Sequence, residues 1–360
     1  MKQLQSVQAL RGVAALLVFM GHLIALEKIH AGRETSLTEF WASGIFGVDL
    51  FFVISGFVIV WVGADLPQTW AAARRFSVAR IVRIYPVWWV FAGTAAIAYW
   101  LTNGAPWNVE RIGEFGREHL LHSFLLWPQP TPPVLSVGWT LTHEMYFYLG
   151  FAVLVFAVPV RHRAIAFSAW GGAVFVGALL GLSSGFAGSL VELIFYPMTL
   201  EFMAGGGVAF AIKSGLRRAA WLSLTLGGSG FLAGFLSADA LTIGVPNLAL
   251  EWQRTLVFGA SSALIVYGAV ALELQDRLPR LLVPSTLVAI GNWSYALYLC
   301  HVLTISLSGR LVYSWLDPTQ SLSVGMFSLT SIALSLGVAA ATYHALERPV
   351  ITAFKCRRAS

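Results

Sequence analysis

Apolar residues fall in long runs along the whole chain, separated by short polar and basic clusters. A helix crossing a hydrocarbon core of ~30 Å needs about 17–25 such residues. Ten stretches meet that demand, at 9–26, 45–63, 83–101, 138–158, 164–182, 191–212, 218–237, 253–273, 285–307 and 325–346. The expected fold class is an all-α integral membrane protein, a bundle of about ten transmembrane helices. No polar stretch is long enough for a separate soluble domain, so residues 1–360 are expected to form a single transmembrane domain with no appended soluble part. The first run follows only Lys2 and precedes no A-x-A cleavage pattern, so it reads as a retained helix and not a signal peptide.

Composition agrees with the pattern. Hydrophobic residues make up 57% of the 360 and charged residues 11%, against about a quarter charged in soluble domains. Mean hydropathy is +0.73. The net charge of +6 does not point to nucleic acid, because the basic residues sit between apolar runs as juxtamembrane charges do. With the N-terminus inside, alternate loops hold Arg74, Arg75, Arg80 and Arg83; Arg161 and Arg163; Lys213, Arg217 and Arg218; Arg277 and Arg280. The tails and inner helix ends add Lys2, Arg11, Arg348, Lys355, Arg357 and Arg358, whereas the outer side holds Lys28, Arg33, Arg111, Arg117, Arg254 and Arg310. That places 17 of the 23 basic residues inside, and shifting the count by one span scrambles the alternation. Both termini are therefore expected in the cytoplasm. The longest outer loops are 27–44 and 102–137; the second carries Trp107, Trp127, Pro128, Pro130, Pro132 and Pro133 and is expected to lie over the outer face. Cys300 lies in an apolar run and Cys356 in the basic tail, so no disulfide is expected.

Ionisable groups inside spans are expensive and so mark candidate chemistry. Arg11 and His22 are 11 residues apart, within about 20° of one helix face and about 16 Å apart along the axis. Arg11 then sits at the inner mouth and His22 beyond mid-membrane. Such a stripe suits a long donor with a phosphate-bearing head at one end and a reactive acyl group at the other, the shape of CoA; alternatively, Arg11 snorkels and His22 is a helix–helix contact. Asp49 opens the run Gly47-Val48-Asp49-Leu50-Phe51-Phe52 at the depth of His22, where a carboxylate could orient an imidazole; the plainer reading is a charge at a helix N-terminus. Arg80 and Arg83 are three apart and share a face, and their guanidinium forks suit phosphate; ordinary inner-face charge is the alternative.

The fourth run opens Gly138-Trp139-Thr140-Leu141-Thr142-His143-Glu144-Met145-Tyr146. Glu144 follows an aromatic loop, a setting for a saccharide site or a general base, or for a rim carboxylate in an aromatic belt. Ser294, Tyr298 and His301 lie near one face of the ninth run; a lone His at that depth serves either as a ligand contact or as a packing group. Pro349 is expected to stop the last helix, with Glu347 pairing an inner Arg as a structural contact. No H-E-x-x-H, P-loop, G-x-S-x-G or paired-Cys pattern occurs, and no metal site is indicated.

Taken in order, these segments resemble the acyltransferase-3 family of membrane acyltransferases. The resemblance rests on Arg11 and His22 with ten residues between, GVDLFFVISGF, RIYP at 83–86, GWTLTHEMYFY at 138–148, SYALYLCH at 294–301 and ERP at 347–349. Thr140 stands where the family commonly has Ser. The resemblance implies ten helices, an acyl-CoA co-substrate with no permanently bound cofactor, and a carbohydrate or related hydroxyl acceptor. It implies that Arg11 and His22 are essential and that Arg83 and Glu144 matter. The resulting expectation is transfer of an acyl group, acetyl by resemblance, to a cell-surface or exopolysaccharide sugar, at the cell (inner or plasma) membrane and among its lipids. His22, Asp49 and Glu144 are assigned to catalysis; Arg11, Arg80 and Arg83 to the donor; and Trp139, Tyr146, Tyr295 and His301 to the acceptor. A lipid or macrolide-like acceptor is the alternative. A transporter is the rival of another class, against which stands the lack of inverted half-to-half similarity.

Overall fold

The computed structural model describes residues 3–32, 39–101, 116–183, 188–237 and 248–356. Residues 33–38 and 102–115 of the two long loops, with Arg33, Trp107 and Arg111, lie outside the described residues, as do Lys2, Arg357 and Arg358. Among the described residues the secondary structure is entirely helical. In chain order the helices are α1 (Gln5–Ala31), α2 (Gly47–Gly63), α3 (Trp70–Leu101), α4 (Arg117–Leu125), α5 (Trp139–Ala157), α6 (Arg163–Leu179), α7 (Leu190–Ile194), α8 (Thr199–Lys213), α9 (Ala220–Ser237), α10 (Leu248–Arg254), α11 (Ala260–Glu273), α12 (Ser285–Tyr313), α13 (Ser321–Thr342) and α14 (Arg348–Cys356). A 3-10 segment, Glu39–Phe46, runs into α2, and π turns at Thr255–Gly259 and Tyr343–Glu347 join α10 to α11 and α13 to α14.

Nine continuous helical stretches among the described residues are long and apolar enough to cross a membrane, and the chain is a multi-pass membrane protein. The expected stretch 164–182 contains α6, which at 17 residues is about 26 Å long and is not one of those nine. It ends where the Gly181 N–H bonds back to Ala178 and Gly181 adopts φ +73°, a left-handed closure that glycine permits. Two other boundaries differ from expectation. α3 begins at Trp70 and not near 83, so Arg74, Arg75, Arg80 and Arg83 lie within the helix and not in a loop; a hydropathy run registers only the apolar part of such an element. Pro349 does not end the last helix. The preceding π turn absorbs the geometry, and Pro349 sits at the second position of α14, where its missing N–H costs little.

Close backbone approach holds the bundle together. A Cβ on Gly291 would lie 1.8 Å from the Gln8 carbonyl oxygen, and one on Gly12 2.4 Å from that of Leu287, so α1 and α12 touch backbone to backbone. The pair α2 and α8 does the same: Gly205 would place a Cβ 1.9 Å from Val53 O and Gly56 one 2.0 Å from Phe202 O. Small residues at such crossings let dispersion and Cα–H contacts do what hydrophobicity cannot do in lipid.

Polar contacts gather the basic connections at one end. Glu273 accepts from the backbone N–H groups of Gln5 and Ser6, both at 2.8 Å. Gln3 donates to Asn292 at 3.1 Å, Gln68 to Ala157 O at 3.2 Å and Gln275 to Arg217 O at 2.9 Å, and Lys213 pairs with Asp65. His344 packs on Trp293 at that end, so the N-terminal helix and the last one begin and end together. Arg163 is fully buried there and donates to the carbonyls of Ala64 (2.8 Å), Leu66, Val155 (2.8 Å) and Val158 (3.1 Å). It ties the α2–α3 connection to the end of α5.

Gly291→Val or Gly205→Val is expected to lower the melting temperature sharply and reduce the yield of folded protein, whereas Gly207→Ala, with open space around it, is expected to be silent in the same thermal scan. Arg163→Ala strands the carbonyls of four residues, two of them buried, and is expected to cost on the order of 3 kcal/mol, read by thermal unfolding in nanodiscs.

Candidate active site

Five helices line a partly open cleft. α1 contributes Arg11; α2 contributes Phe51, Phe52 and Ser55; α3 contributes Arg80 and Arg83; α5 contributes Thr140, Glu144 and Tyr148; α12 contributes Ser294, Tyr295 and Tyr298. Sequence periodicity explains the convergence. Arg80 and Arg83 share a face of α3, and Glu144 and Tyr148 are one turn apart on α5. Four residues assigned to donor or catalysis from the sequence, Arg11, Arg80, Arg83 and Glu144, thus meet in one space, together with Tyr295.

Glu144 is anchored on two sides. Ser55 donates to it at 2.9 Å and Tyr148 donates to the same oxygen. Arg80 lies over the rings of Phe76 (5.5 Å) and Tyr148 (5.8 Å), a cation–π cradle that keeps the guanidinium inside. Glu347 is 4% exposed and lies near enough to Arg83 and Arg11 for their charges to attract it. Three guanidinium groups and two carboxylates therefore share one site, leaving a net positive charge for an anion. Tyr295 donates to Ile84 O at 2.7 Å; Tyr298 donates to Val137 O at 3.0 Å and accepts from Thr140 at 2.9 Å. The hydroxyl at Thr140 thus fixes Tyr298.

His22 lies beyond this cleft, behind Tyr298. Its ring meets that of His301 edge-on at 4.7 Å, and His301 stands 5.8 Å from Tyr298. His22 Nδ1 is 3.0 Å from Val18 O and His301 Nδ1 is 3.2 Å from Leu297 O, each one turn back on its own helix. A carbonyl oxygen only accepts, so both Nδ1 atoms carry a proton, and in the neutral ring the lone pair is left on Nε2. His301 is 1% exposed whereas His22 is only half-buried, which makes His22 the more approachable base of the pair.

Three sequence assignments fall elsewhere. Asp49 does not orient His22: Arg254 holds its carboxylate at 3.0 Å in a fully buried ion pair. Arg254, counted among outer charges, is 8% exposed, stacked over Phe46 at 5.4 Å and 3.8 Å from Glu251. Glu201, 1% exposed, completes this acidic surround. Burial of a guanidinium in an apolar bundle demands a carboxylate, and Asp49 supplies it. Tyr146 points away from the cleft and accepts from Trp170 Nε1 at 3.1 Å. Trp139 faces a second, smaller cavity on the other side of α5. Sequence reasoning missed Tyr148, Ser55 and the Arg254–Glu201–Glu251 group; ionisable residues inside apolar runs were the available signal for the last.

The architecture is that of a multi-pass helical membrane protein built around a cationic cleft beside a pair of histidines. The chain belongs to the acyltransferase-3 family, whose acyltransferase domain matches residues 4–344. It is 32% identical over 342 residues to the exopolysaccharide production protein ExoZ of Rhizobium meliloti (strain 1021), covering 91% of this chain and 96% of that one. It is 27% identical over 388 aligned positions to the acyltransferase MdmB of Streptomyces mycarofaciens, covering 99% and 94%. No solved structure matches it.

Asp49→Ala is expected to destabilise the protein by about 3–5 kcal/mol by stranding Arg254, and Asp49→Leu/Arg254→Met to recover much of that loss; unfolding of the single and double variants in nanodiscs measures the coupling. Glu144→Gln, which keeps the shape but not the charge, is expected to leave the melting temperature within a few degrees and to lower acyl transfer.

Proposed function

We propose that the chain is a membrane O-acyltransferase that moves an acyl group, acetyl in the simplest case, from cytoplasmic acyl-CoA to a hydroxyl of a cell-surface or exopolysaccharide sugar. The observation that carries this reading is the cationic cleft of Arg11, Arg80 and Arg83 directly before the His22–His301 pair. The excess of basic residues at one end supports a cytoplasmic face for that end, at the inner or plasma membrane. The donor therefore enters at Arg11, and residues 1–360 act as one transferase domain. The exopolysaccharide name of one relative supports a sugar acceptor.

In this reading the guanidinium groups bind the phosphates of CoA and the pantetheine arm runs toward Tyr298. His22 Nε2 takes the proton of the acceptor hydroxyl as its oxygen attacks the thioester carbonyl. The C–S bond breaks, and the imidazolium returns the proton to the departing thiolate, so the reaction balances with no net proton change. His301 sits against His22 and spreads the transient charge. An acyl-His22 intermediate uses the same atoms in two steps, and incubation with labelled donor alone separates the routes by whether label stays on the protein. Glu144, held by Ser55 and Tyr148, faces the arginines and sets their charge and position.

A lipid or small-molecule acceptor is the second reading; the relative named simply as an acyltransferase leaves the acceptor open. Membranes given labelled acetyl-CoA distinguish the two by whether label enters the saccharide or the lipid fraction.

His22→Ala is expected to lower the transfer rate by about 10²–10⁴-fold while acetyl-CoA still binds; transfer at the wild-type rate in a folded variant overturns the mechanism. Arg83→Ala and Arg11→Ala are expected to raise KM for acetyl-CoA by about 10–100-fold, the worth of a charge-assisted hydrogen bond, measured against acetyl-pantetheine, whose KM should not move.

A further inference from the structure

The cationic cleft stops short of the histidine pair. Neither His22 nor His301 lines it, whereas Tyr298 does. The Tyr298 ring stands 5.9 Å from that of Phe51, another lining residue, and 5.8 Å from His301, which in turn meets His22 at 4.7 Å. Tyr298 therefore forms part of the wall between the cleft and the histidines.

That wall is latched at one atom. The Tyr298 hydroxyl donates to Val137 O at 3.0 Å and accepts from Thr140 at 2.9 Å. Both partners belong to the start of α5 and the 3-10 turn Ser136–Gly138 before it. This anchor is rigid: a Cβ on Gly138 would lie 2.3 Å from the Trp88 ring, and Trp88, fully buried, donates to Ser123 O at 3.1 Å. The Tyr298 ring, by contrast, hangs from α12 by one rotatable bond, and such turns of a side chain or loop gate many active sites. Two neutral hydrogen bonds favour the closed position by about 10–100-fold. A bias of that size keeps the ring shut at rest and still lets it open during turnover.

The chemistry of a thioester gives the latch a purpose. An imidazole that activates a sugar hydroxyl also activates water. The water oxygen then bonds the acyl carbon, the C–S bond breaks and the sulfur leaves as the thiol with one of the water's protons. Acetic acid and CoA are released and nothing is acylated. His22 is only half-buried, so its own surroundings do not exclude water, and protection of the donor falls to whatever separates the thioester from it.

We propose that Tyr298 is a gate that limits the access of the donor thioester to His22, and that the Thr140 hydroxyl is its latch. The proposal rests on the O-acyltransferase reading above and adds to it a barrier against loss of the acyl group to water. Tyr298 is a positioning residue in this scheme: it acts through His22 and takes no part in the proton transfer. Tyr298→Phe removes the latch and keeps the ring. It strands nothing, because Thr140 Oγ1 also lies 3.0 Å from Val137 O and donates there instead. Thr140→Val removes one bond of the latch at constant shape, and Thr140→Ser keeps the hydroxyl.

The test uses the full chain in nanodiscs, given acetyl-CoA labelled in the acetyl group and no saccharide. Labelled acetate reads escape to water, and label in the membranes of the producing cells, added separately, reads transfer. Thr140→Val is expected to raise acetate release about 3–10-fold over the wild type and Tyr298→Phe about 10–100-fold, the worth of one and of two hydrogen bonds. Thr140→Ser is expected to stay at the wild-type rate of release. Adding His22→Ala to Tyr298→Phe is expected to remove the extra release, which general loosening of the bundle would not do. Release at the wild-type rate in either folded latch variant, or extra release that survives His22→Ala, overturns the gate and leaves the transferase reading standing. A wild type that moves no label into any membrane fraction overturns that reading and the gate with it. Thr140→Val decides the matter if Tyr298→Phe lowers the melting temperature.

Discussion

Three guanidinium groups enclosed in an apolar helical bundle can persist only if carboxylates and aromatic faces compensate them, and the rest of the site is arranged around that demand. Glu144, fixed by Ser55 and Tyr148, and Glu347, carried in by a π turn at the end of α13, face Arg11, Arg80 and Arg83. Removing any of these charges from water is costly, and pairing offsets the cost only where the geometry is fixed. The compensation is incomplete: more positive than negative groups line the space. That residual charge favours an anionic ligand. A second buried Arg, Arg254, is by contrast paired directly with Asp49, with Glu251 3.8 Å away.

The fixed geometry comes from backbone contact. At Gly12 and Gly291, and again at Gly56 and Gly205, no Cβ separates the paired helices. α1 and α12 carry Arg11, His22, Tyr298 and His301; α2 carries Ser55. The two tight pairs therefore set the distance between the cationic cleft and the histidines directly. Arg163 locks the connection at the basic end by satisfying four carbonyls at once. The opposite end is braced differently: Tyr85, Trp88 and Trp89 of α3 donate to carbonyls at the end of α4, at Leu125, Ser123 and Phe124. That brace holds the 127–133 segment against α5, and with it the small cavity that Gln129 and His143 share.

The histidine pair shows how helix geometry can set chemistry. Each Nδ1 bonds the carbonyl four residues earlier, which fixes the tautomer without any carboxylate. An orienting acid is therefore unnecessary, and Asp49 is free to neutralise Arg254. The two rings then meet edge-on at 4.7 Å, so the imidazoles of α1 and α12 lie side by side.

The sequence by itself determined the class of fold and most of the cleft. Long apolar runs allow only helices in lipid, because backbone groups must be satisfied within the segment. The spacing of Arg11 to His22, of Arg80 to Arg83 and of Glu144 to Tyr148 follows from 3.6 residues per turn and survives any packing. What the tertiary structure decided was which helix face meets which. One-dimensional spacing could not tell that Asp49 meets Arg254 across 205 residues, that Trp139 and Glu144 open onto different cavities, or that Tyr146 turns to Trp170. Nor could it tell that α3 runs unbroken through its arginines, or that π turns carry the chain past Arg254 and to Glu347. Those outcomes depend on rotation and register between helices, which backbone contact at a few glycines fixes and which no local pattern encodes.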